Sequence, residues 1–323
     1  MDTLKIKKMK RIAFFSLPVI MALFVHFIMP FSFSNLIKLP VMLKSGDLVA
    51  AFVDNRAYGD AHKARYNGIS ELRHKDQDST LFVPFYAGFN LEHVWGGDVL
   101  DPQFEPREYP MHLKKLSKYK VSLHQDELPL SHIESTTTFT MVPPHYIDVS
   151  FTYIIHDDTF FKHGYAGLFW ASYINAPADK NIYFQGRKKC KEGYHCVKAF
   201  STKHGLKSGH LQDGDTYEMY AEPDFNVTLA SHYSEYVYKE PYYFGRFHNM
   251  AFAYLFSVPE DQILRFAQSP TGGGDANPAW DFYILNPDFE TGKKYTFSVR
   301  LVYKPFISNE DIRKEYKKWK GEE

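Results

Sequence analysis

The sequence predicts an all-β sandwich or barrel closed off by a short C-terminal helix. Three observations predict it. Aromatic residues make up 17% of the chain, with 23 Tyr and 28 Phe, and aromatic and β-branched side chains favour strands. Short runs alternate apolar and polar residues with the period of a half-buried strand. Turn-forming clusters recur between the runs, and few stretches hold a helical period. Regularly spaced strands without intervening helices point to a sandwich or barrel.

Taken in order, the chain opens with Lys5, Lys7, Lys8, Lys10 and Arg11 ahead of an apolar run from Ile12 to about Phe33. A positive lead followed by an apolar stretch is a secretory signal pattern, and the run is also long enough to span a bilayer. Residues 1–34 are therefore read as a signal peptide or a membrane anchor, and the protein as exported: periplasmic, extracellular or held to the membrane by this segment. The remainder, 35–323, reads as one domain. Strands are expected at Leu48–Val53, Tyr119–Leu123, Thr136–Val142, Ile147–Ile155, Phe225–Leu229, Met250–Ser257 and Tyr295–Tyr303. Turns are expected at Gly96-Gly97, Pro143-Pro144, Asp213–Asp215, Thr271–Gly274 and Thr291-Gly292. After Ser308 an N-cap, early acids (Glu310, Asp311) and late lysines suit a terminal helix with Ile312, Tyr316 and Trp319 on its apolar side.

With 38 Lys and Arg against 38 Asp and Glu, the formal charge is zero. No basic excess follows the first dozen positions, which argues against a nucleic-acid partner, because such binding needs clustered cations to displace counterions. Cys190 and Cys196 enclose the loop Lys191–His195. In an oxidising compartment this suits a small loop disulfide; free thiols are the other reading, and the nearby histidines, His195 and His204, do not complete a zinc spacing.

Three constellations carry candidate chemistry. In Asn90–Asp98, Glu92 and His93 stand beside Trp95 and lead into the Gly96-Gly97 turn, where a histidine next to a carboxylate suits proton exchange with a sugar oxygen. Arg107 follows; its guanidinium suits hydroxyl pairs or a uronate carboxylate, or an ion pair with Glu105 or Glu108. Next, His156-Asp157-Asp158 and His163 lie around a loop after a strand, suited to ligand contact, to a divalent metal or to plain turn formation. Last, Gln268, Asp275, Asn277 and Asp281 surround Thr271–Gly274 beside Trp280. Polar groups with an aromatic face are how sugar sites are usually built, and an irregular connection between strands is the competing reading.

These segments, in this order, resemble the aldose 1-epimerases of the galactose-mutarotase superfamily. Leu91-Glu92-His93-Val94-Trp95-Gly96-Gly97 is similar to the family's Leu-His-Gly-Gly stretch with an insertion, and Lys162–Leu168 is similar to its second histidine stretch. Gln268–Pro270, Asp275–Pro278, Pro287–Gly292 and Tyr295–Tyr303 follow the order of its C-terminal motifs. The resemblance implies a β-supersandwich whose concave face takes a sugar, with His163 as the general acid, His93 as a binding histidine and no cofactor or metal. At the family's glutamate base this chain has Gln268, which cannot abstract a proton, so Asp281 or Asp275 would have to serve. Arg107, Glu92, Gln268, Asp275, Asn277 and Trp280 are the expected substrate contacts. The implied function is a carbohydrate-active exported protein, acting as an isomerase or simply binding a mono- or oligosaccharide; a lyase, a hydrolase or a non-catalytic sugar module on the same fold are the alternatives.

Overall fold

Strand alternation and inter-sheet aromatic packing organise residues 39–322, the part of the chain that this computed structural model describes. The proposed export segment lies outside the described residues. No helix among the described residues is long and apolar enough to cross a membrane.

Two antiparallel sheets pack face to face. The large one has ten strands; its path runs His195–Ala199, Ile182–Lys188, Tyr242–Phe247, Met250–Ser257, Lys294–Pro305, Tyr146–Ile155, Ile133–Val142, Lys120–Gln125 and Met111–Lys115, with Tyr236–Tyr238 also paired to Ile182–Lys188. The second has five strands in the order Gly209–His210, Ile263–Ser269, Ala279–Pro287, Tyr165–Ala171 and Asn90–Trp95. A three-stranded sheet, Val41–Ser45, Leu48–Val53 and Gly68–His74, adds Phe52 to the same core, 5.1 Å from Phe139. The predicted all-β sandwich with a short terminal helix is the observed architecture.

Burial follows the strand period where one face meets water. Ile133–Val142 alternates buried and half-buried residues throughout, as an outer-facing strand should. Tyr165–Ala171 is buried at every position because both of its faces are covered. On the inner face, Trp170 stacks on Phe282 at 5.0 Å and meets Phe151 and Phe297 of the large sheet edge-on at 4.8 and 5.2 Å. On the outer face, Trp95, Tyr165, Phe169 and Tyr283 form a second apolar cluster under Phe225, Val227, Leu229 and Ala230.

That cover corrects one expectation. Phe225–Leu229 is not a strand: its alternate residues are buried, but its backbone bonds locally, Phe225 N to Glu222 O at 2.9 Å and Ala230 N to Val227 O at 3.0 Å. The segment turns into the short helix Thr228–Ser231. Apolar alternation here reflects a lid packed on a sheet, and carries no strand ladder.

The terminal helix Asn309–Lys320 forms as expected. Ser308 Oγ accepts the Asp311 amide at 3.1 Å, and Gly321 closes the end in the left-handed region at φ 72°. Ile312 and Tyr316 dock on Tyr146, Tyr242 and Leu255 of the large sheet. Glu315 anchors the contact: it accepts from Tyr146 Oη at 2.7 Å and from Lys304 Nζ at 2.7 Å. Burial alone would raise the Glu315 carboxyl, but the nearby His145 imidazole, 3.6 Å away, and the hydrogen bonds from Lys304 and Tyr146 outweigh it and bring it down to about 2. The folded value lies below the ordinary 4.5, so its stabilisation is complete above about pH 4.5 and is lost as pH falls toward 2. Urea denaturation between pH 2 and 6 is expected to show Glu315→Gln less stable than wild type by roughly 1–2 kcal/mol at pH 6, after allowance for solvent screening, with the gap closing in acid.

Candidate functional site

One extra residue in the edge strand of the five-stranded sheet brings a carboxylate, an imidazole, a guanidinium and a phenol together. Leu91 pairs with Trp170 and His93 with the next residue back, Phe169, so Glu92 is a bulge. In a regular strand, neighbours point to opposite faces; a bulge bends the strand and re-aims side chains. Here Glu92 and His93 meet side by side, Glu92 Oε1 lying 3.3 Å from His93 Nε2. The other ring nitrogen, Nδ1, donates to Gln103 O at 2.7 Å, and Phe104 stacks on the ring at 4.8 Å. With Nδ1–H committed to a carbonyl, the Nε2–Oε1 contact is attractive only when a proton lies between the two groups.

Three more donors converge on the second oxygen. Glu92 Oε2 accepts from Asn90 Nδ2 at 3.0 Å, from Arg107 Nη1 at 3.3 Å and from the Tyr173 hydroxyl. Arg107 is fixed by its Nε–H to Arg65 O at 2.9 Å and by its guanidinium lying 4.1 Å over Tyr66 and 4.7 Å over Phe104. Burial raises the Glu92 carboxyl, yet the hydrogen bond and charge of His93, the Arg107 charge and the Tyr173 hydroxyl together hold it below the ordinary range. Tyr173 goes the other way: burial first, then the Glu92 charge, push its phenol far above the usual value. A proton acceptor and a proton holder thus sit in contact, which is the pattern of an acid–base pair set apart by environment. Half-buried Tyr66 and Tyr86, 4.5 Å apart, continue the aromatic wall. His204 lies at the rim: burial lowers its imidazole, partly countered by the Glu92 charge.

The structure unites Glu92, His93 and Arg107 and adds Tyr173, Tyr66 and His204. Arg107 does pair with a carboxylate, but with Glu92; Glu108 pairs with Arg65, and Glu105 accepts the amides of Leu130 and Ser131 at 2.7 and 3.1 Å.

The other expected residues go elsewhere. His163 precedes the strand that starts at Tyr165, four positions before Phe169, the partner of His93. At about 3.3 Å per residue, more than roughly 13 Å of backbone separates the two histidines, so they do not flank one reacting centre. Trp280 is fully buried against the large sheet, its ring filling the space left by Gly245. It shares inward parity with Phe282 and Ile284 and offers no stacking face to a ligand. Gln268 is buried on the same side and donates to His210 Nε2 at 3.0 Å; burial brings that imidazole down to about 4, so it is neutral. Asn277 serves its own loop, accepting from Ala176 N and donating to Gly273 O, both at 2.8 Å. Asp275 is exposed at the loop tip, where its carbonyl accepts from Lys180. In the remaining loop, His156 contacts Glu134 at 2.9 Å and Asp157 accepts the Thr159 amide at 2.8 Å, which is turn formation.

Asp281 is not placed to touch a substrate either. It is 1% exposed, against 8% for Glu92 and 9% for Arg107, whose edges reach solvent. Its Oδ1 accepts the Ser172 amide at 3.0 Å, while Oδ2 has no partner among the described residues. Burial, with the Glu92 charge added, pushes its carboxyl far above the usual range. By holding Ser172 it positions the next residue, Tyr173.

The expected disulfide is also corrected: Cys190 and Cys196 are separate thiols. Cys190 is exposed in the turn, whereas Cys196 packs half-buried against the Tyr242 cluster, where burial pushes its thiol up to about 11. Cavities of about 530 Å³, lined by Asp213, Asp215, Glu260 and Gln262 among others, and about 480 Å³, lined by Lys198, Phe200, Lys207 and Tyr236 among others, lie apart from the Glu92 group.

No family model matches the chain, and no curated protein matches it. Among solved structures it is similar to an aldose epimerase homologue from C. elegans, at 8% identity over 83% of this chain and 100% of that one, with a TM-score of 0.45. It is similar to an α-N-acetylgalactosaminidase from Bifidobacterium bifidum, at 9% identity over 87% of this chain and 38% of that one, TM-score 0.47. It is also similar to a mutant heparan sulfate lyase from Pedobacter heparinus, at 10% identity over 81% and 33% of the two chains, TM-score 0.42. The chain therefore spans about a third of the length of these two larger enzymes.

The bond from Ser172 N to Asp281 has a direct consequence. Asp281→Asn keeps the acceptor for Ser172 N in a site where burial disfavours charge, so denaturant unfolding is expected to change by less than about 1 kcal/mol. Asp281→Ala leaves the buried amide unpaired and is expected to cost roughly 1–3 kcal/mol.

Proposed function

We propose that the outer face of the five-stranded sheet around Glu92 binds a mono- or oligosaccharide and moves protons at its anomeric centre. The observation that carries this reading is the hydrogen bond from the Tyr173 hydroxyl to the Glu92 carboxylate, with His93 and Arg107 on the same carboxylate, at an edge that solvent reaches. Glu92 takes the proton of the anomeric hydroxyl as the bond from the anomeric carbon to the ring oxygen breaks. Tyr173 gives its proton to that ring oxygen, leaving an open-chain carbonyl sugar. Reclosure on either carbonyl face returns both protons and exchanges the anomers. His93 and Arg107 fix the Glu92 carboxylate through this cycle, and half-buried Tyr66, Tyr86 and Phe104 supply apolar faces for a pyranose ring. Export, suggested by Lys5–Arg11 and the apolar run behind them, belongs to the same proposal.

Calorimetry against a broad saccharide panel, with polarimetry of freshly dissolved anomers, tests it. Wild type should bind at least one sugar saturably and speed its change in rotation. Glu92→Gln should slow that change by at least about 100-fold while keeping the far-ultraviolet circular dichroism of wild type. Absence of binding across the panel overturns the reading, and binding without turnover reduces the site to a sugar-recognition module.

A further inference from the structure

Away from Glu92, two carboxylates from separate chain segments converge on the imidazole nitrogen of a third. His163 Nε2 lies 3.3 Å from Asp98 Oδ1 and 3.5 Å from Glu222 Oε1. Asp98 follows the Gly96-Gly97 turn, His163 precedes the strand Tyr165–Ala171, and Glu222 belongs to the segment that covers the outer sheet face. Hydrogen bonds between the segments hold them together at this point. Glu222 N donates to Gly97 O at 2.8 Å, and Tyr165 Oη donates to Tyr220 O at 2.6 Å. The Tyr220 ring lies 4.5 Å from that of His163. Gly97 sits at φ +105°, and a Cβ there would come within 2.6 Å of His163 Cδ2 and 2.9 Å of Tyr220 O. The close approach of the three segments therefore needs glycine at this point.

One ring nitrogen carries one hydrogen, in the ring plane, and can serve one carboxylate well. Two carboxylate oxygens at nearly equal distances around a single nitrogen suit a cation placed between them, with the imidazole lone pair as a ligand. Zinc–nitrogen and zinc–oxygen bonds of about 2.0–2.1 Å in tetrahedral geometry put ligands roughly 3.3–3.4 Å apart, close to the separations seen here. The side chains are 20% (His163), 29% (Asp98) and 38% (Glu222) exposed, which leaves a coordination position facing solvent. Lys162 Nζ, 3.5 Å from the other Asp98 oxygen, is 69% exposed and free to swing away.

We propose that Asp98, His163 and Glu222 bind a divalent transition-metal ion of the Zn²⁺ class. The ion ties the covering segment to the turn after Asn90–Trp95 and keeps an open position for water or an oxygen ligand. His163 then acts as a metal ligand and not as the general acid suggested by the resemblance.

The test uses chelator-treated, dialysed full-length protein. Zn²⁺ alone is titrated by calorimetry, Co²⁺ alone is followed by its visible ligand-field absorption, and thermal unfolding is recorded with and without Zn²⁺. One equivalent should bind, the absorption should appear, and Tm should rise, since an ion bound only by the folded state stabilises it by mass action. His163→Ala and Glu222→Gln should each weaken binding at least ten-fold and lose the Tm rise, with circular dichroism unchanged in the metal-free state. Glu222→Gln keeps the side-chain shape, so its result stands if the alanine variant folds poorly. Absence of saturable binding to wild type, or wild-type Zn²⁺ affinity in Glu222→Gln, overturns the proposal.

Discussion

The structure depends on the aromatic layer between its two large sheets. Trp170 lies flat on Phe282, 6° from parallel, while Phe151 and Phe297 present their edges to it at 85° and 81°. Offset and edge-on pairs of this kind add about 0.5–1.5 kcal/mol each beyond the area they bury. Their greater effect is on register. A slip of one residue along Tyr165–Ala171 would send Trp170 to the outer face and Phe169 inward, breaking every contact in the layer. With Trp170 pinned inward, Phe169 and Ala171 face outward, and Tyr173 continues that parity beyond the strand end.

The Glu92 group is built against this fixed frame. The bulge changes the phase of one edge strand while its neighbour stays in register, so a carboxylate and an imidazole adjacent in sequence end up in contact. The cluster is then closed from outside the sheet, by Arg107 in the helical turn Glu105–Glu108 and by Tyr66. Asp281 contributes from Ala279–Pro287, two strands in from the edge, by holding Ser172. The sandwich supplies rigidity, and the loops supply charge.

Much of the fold was legible in the sequence because strand alternation and helix capping are local. Leu48–Val53 and Met250–Ser257 are strands over the predicted residues, and Ser308 caps the predicted helix. The site was legible only in part. Glu92, His93 and Arg107 stand out as reactive types close together, but a bulge leaves no periodic mark, and strict alternation alone would put Glu92 and His93 on opposite faces. Tyr173 was open to recognition through its parity with Phe169 and Ala171, a signal masked by the many other tyrosines. Trp280 misled for the opposite reason: its polar sequence neighbours suggest a surface loop, while its parity with Phe282 and Ile284 places it in the core. The pairing of Gln268 with His210, and of Asp281 with Ser172, is set by strand register across sequence separations that alternation cannot convey.

The bulge at Glu92 also has a genetic meaning. The reactive group rests on one residue more than the pairing needs, one codon of phase shift in an otherwise regular strand. A chain lacking that codon would keep the same sheets and the same core, and would pair His93 next to Leu91 with no carboxylate beside it. Gain or loss of this chemistry in related sequences should therefore be read as a change in spacing at one edge, which a comparison of residue identities, position by position, would score as a gap and overlook.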